Sequence, residues 1–193
     1  MRIVFDFDHT LNNMLFVWVD TLNKRHGLQV KYEDIKDWDM EKNFPTLTSD
    51  EIDEPLYDPK YWSKINCWPN VGRAFNKLRS LGDEVFVASS THPSYASIKY
   101  NNCMKSIIPV VTQNIIFTYR KDIIDCNVIV DDYPPNIANS KAHRILIDTP
   151  YNRIDDHPEY EDMYDVRVQD FDDAIQHIMS YHCIEFFKVA KCL

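Results

Sequence analysis

Asp6 and Asp8 close the first apolar run of the chain, Ile3-Val4-Phe5, with only Phe7 between them. If that run is a strand, alternation of side chains turns both acids to the same face. Two carboxylates that close repel each other, and desolvation adds to the cost. A divalent cation or a shared proton would relieve both. Comparable groups close the later apolar runs: Ser89-Ser90-Thr91 end GDEVFVASST, and Asp131-Asp132 end NVIVDD. Lys121, in TYRKD, stands ten residues before Asp131. Acids, hydroxyls and a lysine gathered in one place can hold a divalent metal and a phosphate. Each alone has a plainer reading. Asp6-x-Asp8 could be a structural calcium site or a helix-cap pair, Asp131-Asp132 before Tyr-Pro-Pro a turn, and Lys121 a surface lysine.

What must bring these groups together is a set of short strands. Residues 2–8, 84–89, 114–118, 127–132 and 143–148 read as strands, and 166–168 as an edge strand. Asn12 or Asn13 caps a helix running to about residue 25, with Gly27 beyond it and Leu15, Val19 and Leu22 as its apolar stripe. Val71, Ala74, Phe75, Leu78 and Leu81 share a second helical face, followed by Gly82. Further helices are expected over 93–104 and over 170–182, the last with Asp170 as cap and Ile175 and Ile178 inward. The strands are continuous apolar runs, which suits a parallel sheet covered on both faces. The expected fold is a Rossmann-like three-layer α/β/α core. In such sheets ligands bind beyond the carboxyl ends of the strands. Residues 31–70 differ in kind: acidic, rich in proline and tryptophan, and broken into short pieces. Thr48-Ser49-Asp50-Glu51 reads as a capping box and Asp58-Pro59 as a cap with proline in the first turn. The expected organisation is a core of residues 1–13 and 69–193 with a small, mostly helical cap, 14–68, inserted after the first strand.

Composition narrows the function. With 193 residues, 45% hydrophobic, the chain is large enough for one core with an insertion. A net charge of −9 argues against a nucleic-acid polymer as partner, which would need a basic field. No apolar run approaches the ~20 residues of a membrane helix, and no signal peptide is read. The five cysteines, Cys67, Cys103, Cys126, Cys183 and Cys192, are scattered without a Cys-x-x-Cys pair, which points to reduced thiols in a cytoplasm. Three glycines in the whole chain leave no dinucleotide or P-loop motif.

The four groups in this order resemble the haloacid-dehalogenase-like phosphohydrolases: Asp-x-Asp, a Ser or Thr, a lysine, then paired aspartates. Within them the chain is similar to the 5′(3′)-deoxyribonucleotidases of bacterial and phage type. The insertion lies between the first and second motifs, Lys121 precedes Asp131 by ten residues with Asn127 between, and ILIDTPYNR resembles a segment of that subgroup. The resemblance implies an Mg²⁺-dependent phosphatase for deoxyribonucleoside monophosphates. In it Asp6 is the nucleophile that becomes an aspartyl-phosphate and Asp8 the general acid and base. Asp6, the backbone carbonyl of Asp8 and Asp132 would hold Mg²⁺, with Asp131 as a further ligand or the partner of Lys121. Ser89, or a neighbour one residue on, and Lys121 would bind the phosphoryl oxygens. One departure is plain: His9 follows Asp8 where glycine is usual. It either assists binding or serves local hydrogen bonds.

Phe16, Trp18 and Trp38, with Ser90 and His9, are the candidate substrate contacts. No more than one or two of the cap's aromatics are expected to face the substrate, the rest forming its core. Arg153 is assigned to the surface or an interface, compatible with a homodimer. The rival functions are the same chemistry on another small phosphomonoester, such as a sugar phosphate, and a catalytically silent binding protein on the same fold.

Overall fold

The computed structural model describes residues 1–108 and 112–190, with side chains through His182. Six parallel strands form one sheet: β1 (Arg2–Asp6), β2 (Glu84–Ser89), β3 (Ile115–Phe117), β4 (Val128–Asp131), β5 (His143–Ile147) and β6 (Val166–Val168). Their order is β3-β2-β1-β4-β5-β6, that of a Rossmann-like doubly wound sheet. Successive connections run outward in opposite directions from β1 and β4, which leaves a crevice beyond their carboxyl ends. Register aligns the chemistry at that crevice. Asp6 is level with Ala88, next to Ser89, and Phe5 with Val130, next to Asp131.

In chain order the helices are α1 (Met14–His26), α2 (Met40–Asn43), α3 (Ser49–Asp53), α4 (Pro59–Trp62), α5 (Val71–Ser80), α6 (Pro93–Lys99), α7 (Lys105–Ile107) and α8 (Phe171–Ala190). Period-two alternation sorts the strands into two faces. Ile3, Phe5, Val85, Val87, Val128 and Val130 pack under Val71, Phe75 and Leu78 of α5 and Phe171, Ala174 and Ile178 of α8. Val4, Ala88 and Ile129 face the other way, onto Ile137 and Ala142. That third layer is thin, made of short turns. Leu81, expected on the buried face of α5, is 40% exposed. The helix ends at Ser80, and the left-handed Gly82 (φ 84°) turns the chain away.

Helix ends follow local chemistry. Gly27 takes the left-handed conformation (φ 67°) and donates its N–H to the Asn23 carbonyl. Asn13 holds the cap position of α1, but the side-chain work is done by Asn12, whose Oδ1 accepts from the Met14 N–H at 2.8 Å. The helix expected over 93–104 ends as α6 at Lys99 and continues through a wider π turn, Tyr100–Met104, into α7. Such widenings recur at functional sites, and here it follows the residue whose side chain enters the site.

Between β1 and α5 the chain makes the expected short helices. Thr48 and Glu51 form the capping box, with Glu51 N–H to Thr48 Oγ1 at 3.3 Å and Thr48 N–H to Glu51 Oε2 at 2.8 Å. Asp58 accepts from the Lys60 N–H at 2.9 Å. This segment has its own apolar cluster, which includes Leu15, Leu22, Ile35, Phe44 and Ile52. Leu56, Tyr61, Trp62 and Ile65 pack instead with the sheet's core. Cys67, Cys103 and Cys126 are free thiols; the Cys183 side chain and Cys192 lie outside the described residues. Among the described residues no helix is long and apolar enough to cross a membrane.

Phe5 and Phe75 meet with ring centroids 5.0 Å apart at the junction of β1 and α5. Phe75→Ala should lower unfolding free energy by about 3–5 kcal/mol, read by urea denaturation, because the ring is fully buried. A loss within experimental error would contradict that packing.

Candidate active site

The loop after β1 is shaped by its own side chains. The Phe7 carbonyl accepts from the Leu11 N–H at 3.1 Å and from Asn12 Nδ2 at 2.8 Å. His9 is left-handed (φ 62°), the one described non-glycine residue with positive φ, and Thr10 N–H donates to the Asp8 carbonyl at 2.7 Å across it. The strand therefore stops at Asp6, two residues earlier than expected, and strand alternation does not extend to Asp8. The two acids accordingly meet different cations. Lys121 donates to Asp6, and Lys99 donates to Asp8. Both acids still line the same cavity, and the Asp8 charge acts on Asp6.

Lys121 also donates to Asp131 at 2.6 Å. The Asp131 carboxylate accepts in addition from the Tyr133 N–H at 2.9 Å and Asn136 Nδ2 at 3.1 Å, and it is fully buried. Asp132 is bound differently: Thr10 Oγ1 donates to Oδ1 at 2.8 Å, and the Tyr151 hydroxyl donates to Oδ2. Carboxylate oxygens of Asp6, Asp131 and Asp132 all lie within 4.8 Å of one another. Burial raises the Asp6 carboxyl well above the usual range; Lys121 counters this, while Asp131, Asp132 and Asp8 add to it. Burial and then Asp131 push Asp132 up to about 7, against the pull of the Tyr151 and Thr10 hydroxyls. Burial works against the Lys121 ammonium, but Asp131 and Asp6 outweigh it and hold its charge above the usual lysine range. Three crowded carboxylates with one lysine leave a negative excess, and an all-oxygen donor set fits a hard divalent cation. Asp6 and Asp132 line the cavity, whereas Asp131 is saturated by its donors. Asp132 is thus the better placed of the pair to hold such an ion.

Lys99 is the residue that sequence reasoning missed. Its side chain is 1% exposed. Besides Asp8, Nζ donates to Ser89 Oγ at 2.7 Å and Thr91 Oγ1 at 2.9 Å. It lies over the rings of Phe7 and Trp62 at 5.3 and 5.2 Å, a cation–π setting. A lysine late in a helix reads as solvent-facing, and no spacing rule singles it out. Ser89 was expected to face the phosphate; its hydroxyl is instead bound to Asp8 at 3.1 Å and to Thr91 at 2.9 Å. Ser90 lines the cavity, with its hydroxyl on the Thr118 carbonyl at 3.3 Å. The one-residue shift follows from the alternation of β2.

These groups open onto a cavity of about 260 Å³. Asp6, Asp8, Lys99, Lys121 and Asp132 line it together with Trp18, Trp38, Trp62, Tyr95 and Tyr133. Trp38 is 47% exposed and stacks on Tyr133 at 4.6 Å. Phe16 is absent from the lining: it is one helical step from Leu15, which does line the cavity, and its ring stacks on Tyr32 at 4.0 Å. Trp18 and Trp38 border the space, while Trp62 of α4 is fully buried in the core beneath Lys99. His9 lines it too, buried, with Nε2 on the Tyr32 hydroxyl at 2.8 Å and Nδ1 unpartnered. Asp39, Glu41 and Asp53 are exposed members of the lining.

The family described as 5′ nucleotidase, deoxy (pyrimidine), cytosolic type C protein matches residues 1–182. A 5′(3′)-deoxyribonucleotidase of Clostridium acetobutylicum is 30% identical over 149 residues, covering 77% of this chain and 82% of that protein. A 5′(3′)-deoxyribonucleotidase of Bacillus phage SPbeta is 26% identical over 152 residues, covering 78% of this chain and 87% of that protein. The fold is similar to that of a haloacid dehalogenase-like family hydrolase from Streptococcus pneumoniae, with a TM-score of 0.64 at 16% identity, over 94% of this chain and 97% of that one.

Burial lowers the His9 imidazole from 6.5 to about 4. As pH falls below 6.5 the unfolded chain takes the proton first, so this stabilisation is present above 6.5 and lost by about 4. The stability of the native chain relative to His9→Gly should fall by up to roughly 3 kcal/mol between pH 7 and 4, measured by urea unfolding across that range. Parallel curves for the two proteins would contradict it.

Proposed function

This chain belongs to the family of 5′(3′)-deoxyribonucleotidases, phosphatases with a haloacid-dehalogenase-like fold, and from that premise we propose that it hydrolyses deoxyribonucleoside monophosphates with Mg²⁺ through an aspartyl-phosphate. The observation that carries the reading is the pairing of two acids with two buried lysines in the lining of one cavity. We infer likewise that residues 14–68 act as the cap over a core of 1–13 and 69–193, and that the enzyme works in the cytoplasm.

In this mechanism an Asp6 oxygen attacks phosphorus, forming the acyl-phosphate bond as the ester P–O bond breaks. The departing sugar oxygen takes a proton from Asp8. Water then attacks the phospho-aspartate, gives its proton to Asp8, and releases inorganic phosphate with Asp6 restored. Lys121 favours the charged form of Asp6 against the cost of burial, and its ammonium would offset charge developing on a phosphoryl oxygen. Lys99 holds Asp8 and Ser89 in one arrangement, and Ser90 faces the substrate. Asp6, Asp132 and the Asp8 carbonyl would hold Mg²⁺, with Asp131 fixing Lys121. When bound, the cation offsets the charge that a phosphate brings to this acidic site. Trp18 and Trp38 offer flat apolar faces to the nucleoside. The exposed acids of the lining, Asp39, Glu41 and Asp53, repel further phosphates, which favours a single phosphate over di- and triphosphates or a polymer.

Phosphate release from a panel of monophosphates should require Mg²⁺ and favour dUMP, dTMP or another deoxynucleotide over sugar phosphates and over the matching triphosphates. Asp6→Asn should reduce kcat by roughly 10³-fold or more. A preference for a sugar phosphate would remove the nucleotide reading, and undiminished turnover in Asp6→Asn would remove the covalent one. Lys99→Met should reduce kcat by roughly 10²-fold with a smaller change in KM. An unchanged kcat would deny Lys99 its part in orienting Asp8.

A further inference from the structure

Tyr151 belongs to two structures at once. Its ring is buried in the apolar cluster of the insertion, among residues such as Leu15, Leu22, Ile35, Phe44 and Ile52. Among the described residues it is the one buried member of that cluster from outside the insertion. Its hydroxyl donates to Asp132 Oδ2. The turn that carries it grips Asp132 a second time: Asn152 Nδ2 donates to the Asp132 carbonyl at 2.7 Å and to the Ile147 carbonyl at 2.8 Å. Asn152 Oδ1 in turn accepts from the Thr149 N–H at 3.0 Å and Arg167 Nη2 at 2.8 Å. The turn is therefore rigid at the point where it meets the acid, and the Tyr151 ring is free to move only if the insertion's cluster moves with it.

We propose that Tyr151 is a positioning residue that couples seating of the insertion to cation binding at Asp6 and Asp132, so that each stabilises the other. The inference rests on the cation reading given above. The packed insertion sets the Tyr151 ring, the ring sets its hydroxyl, and the hydroxyl orients one carboxylate oxygen of Asp132. Groups that orient a metal ligand commonly change metal affinity 10–100-fold when removed. Coupling of this kind is reciprocal, so a bound cation must tighten the insertion as much as the insertion tightens the cation. Thr10 makes the contrasting case: its hydroxyl binds the other oxygen of Asp132 at 2.8 Å, but it is not part of the insertion's cluster.

The test compares the full-length chain with Tyr151→Phe, which keeps the ring, and with Thr10→Val. Mg²⁺ alone is titrated by calorimetry, and hydrogen exchange of insertion amides is followed with and without saturating Mg²⁺. In the native chain Mg²⁺ should slow exchange in α1 and around Ile35 and Ile52. Tyr151→Phe should bind Mg²⁺ about tenfold or more weakly, and its insertion should no longer respond to the saturating ion. Thr10→Val should also bind more weakly yet keep the response. Phe44→Leu, in the cluster that holds the Tyr151 ring, should also weaken Mg²⁺ binding, and native affinity in it contradicts the coupling. Native Mg²⁺ affinity in Tyr151→Phe, or an insertion indifferent to Mg²⁺ in the native chain, overturns the coupling while leaving the cation site standing. A native chain that binds no Mg²⁺ overturns the cation reading and this inference together.

Discussion

Carboxylates crowded at the carboxyl edge of the sheet are the constraint on which the rest of the molecule turns. Asp6, Asp131 and Asp132 are buried and Asp8 half-buried. Ionised acids taken out of water at this spacing are unfavourable unless cations and donors meet them. Two lysines with side chains 1% exposed do so, one from the turn after β3 and one from the end of α6. Each reaches in from a different element, so the elements flanking β1 must all be seated before the acids are satisfied. The lysines still leave the cluster short of positive charge. That residual deficit is what suits the site to a cation.

The insertion is tied to this cluster by polar contacts as well as by apolar packing. Tyr32 holds His9 in the loop just after Asp8, and Trp68 Nε1 donates to the Thr10 carbonyl at 3.2 Å. Tyr151 reaches the other way, from the core into the insertion's apolar cluster. His9 shows what such a position demands. A non-glycine residue at positive φ is strained by about 1–2 kcal/mol, and the imidazole is held there neutral and buried. Its contacts with Tyr32 and the surrounding rings are what compensate. Loop, insertion and acid cluster thus form one mechanical unit, in which a change of packing at a distance can be felt at a carboxylate oxygen.

Much of the architecture is legible in short apolar runs. Val128–Asp131 and Glu84–Ser89 read as buried strands because they are short apolar runs rich in valine and bounded by turns. The capping box at Thr48 and the Gly27 stop are equally local, set by hydrogen bonds within a few residues. Leu81 fits the apolar period of α5 yet lies past its end, because a periodic pattern does not announce where a left-handed glycine will turn the chain. Phe16 stacks on Tyr32 outside the cavity lining for a related reason: helical periodicity says which residues share a face, and tertiary packing says what that face meets.

Order and spacing in the chain were enough to gather Asp6, Asp8, Lys121, Asp131 and Asp132 at one edge of the sheet, because a parallel sheet delivers strand ends to a common edge whatever the loops do. Which lysine serves which acid, that Ser89 turns to Asp8 while Ser90 faces the cavity, and that Lys99 and Tyr151 belong to the site at all, were decided only by the folded molecule. Those assignments depend on directions of side chains that come from elements far apart in the chain, and no local rule of periodicity or spacing carries that direction.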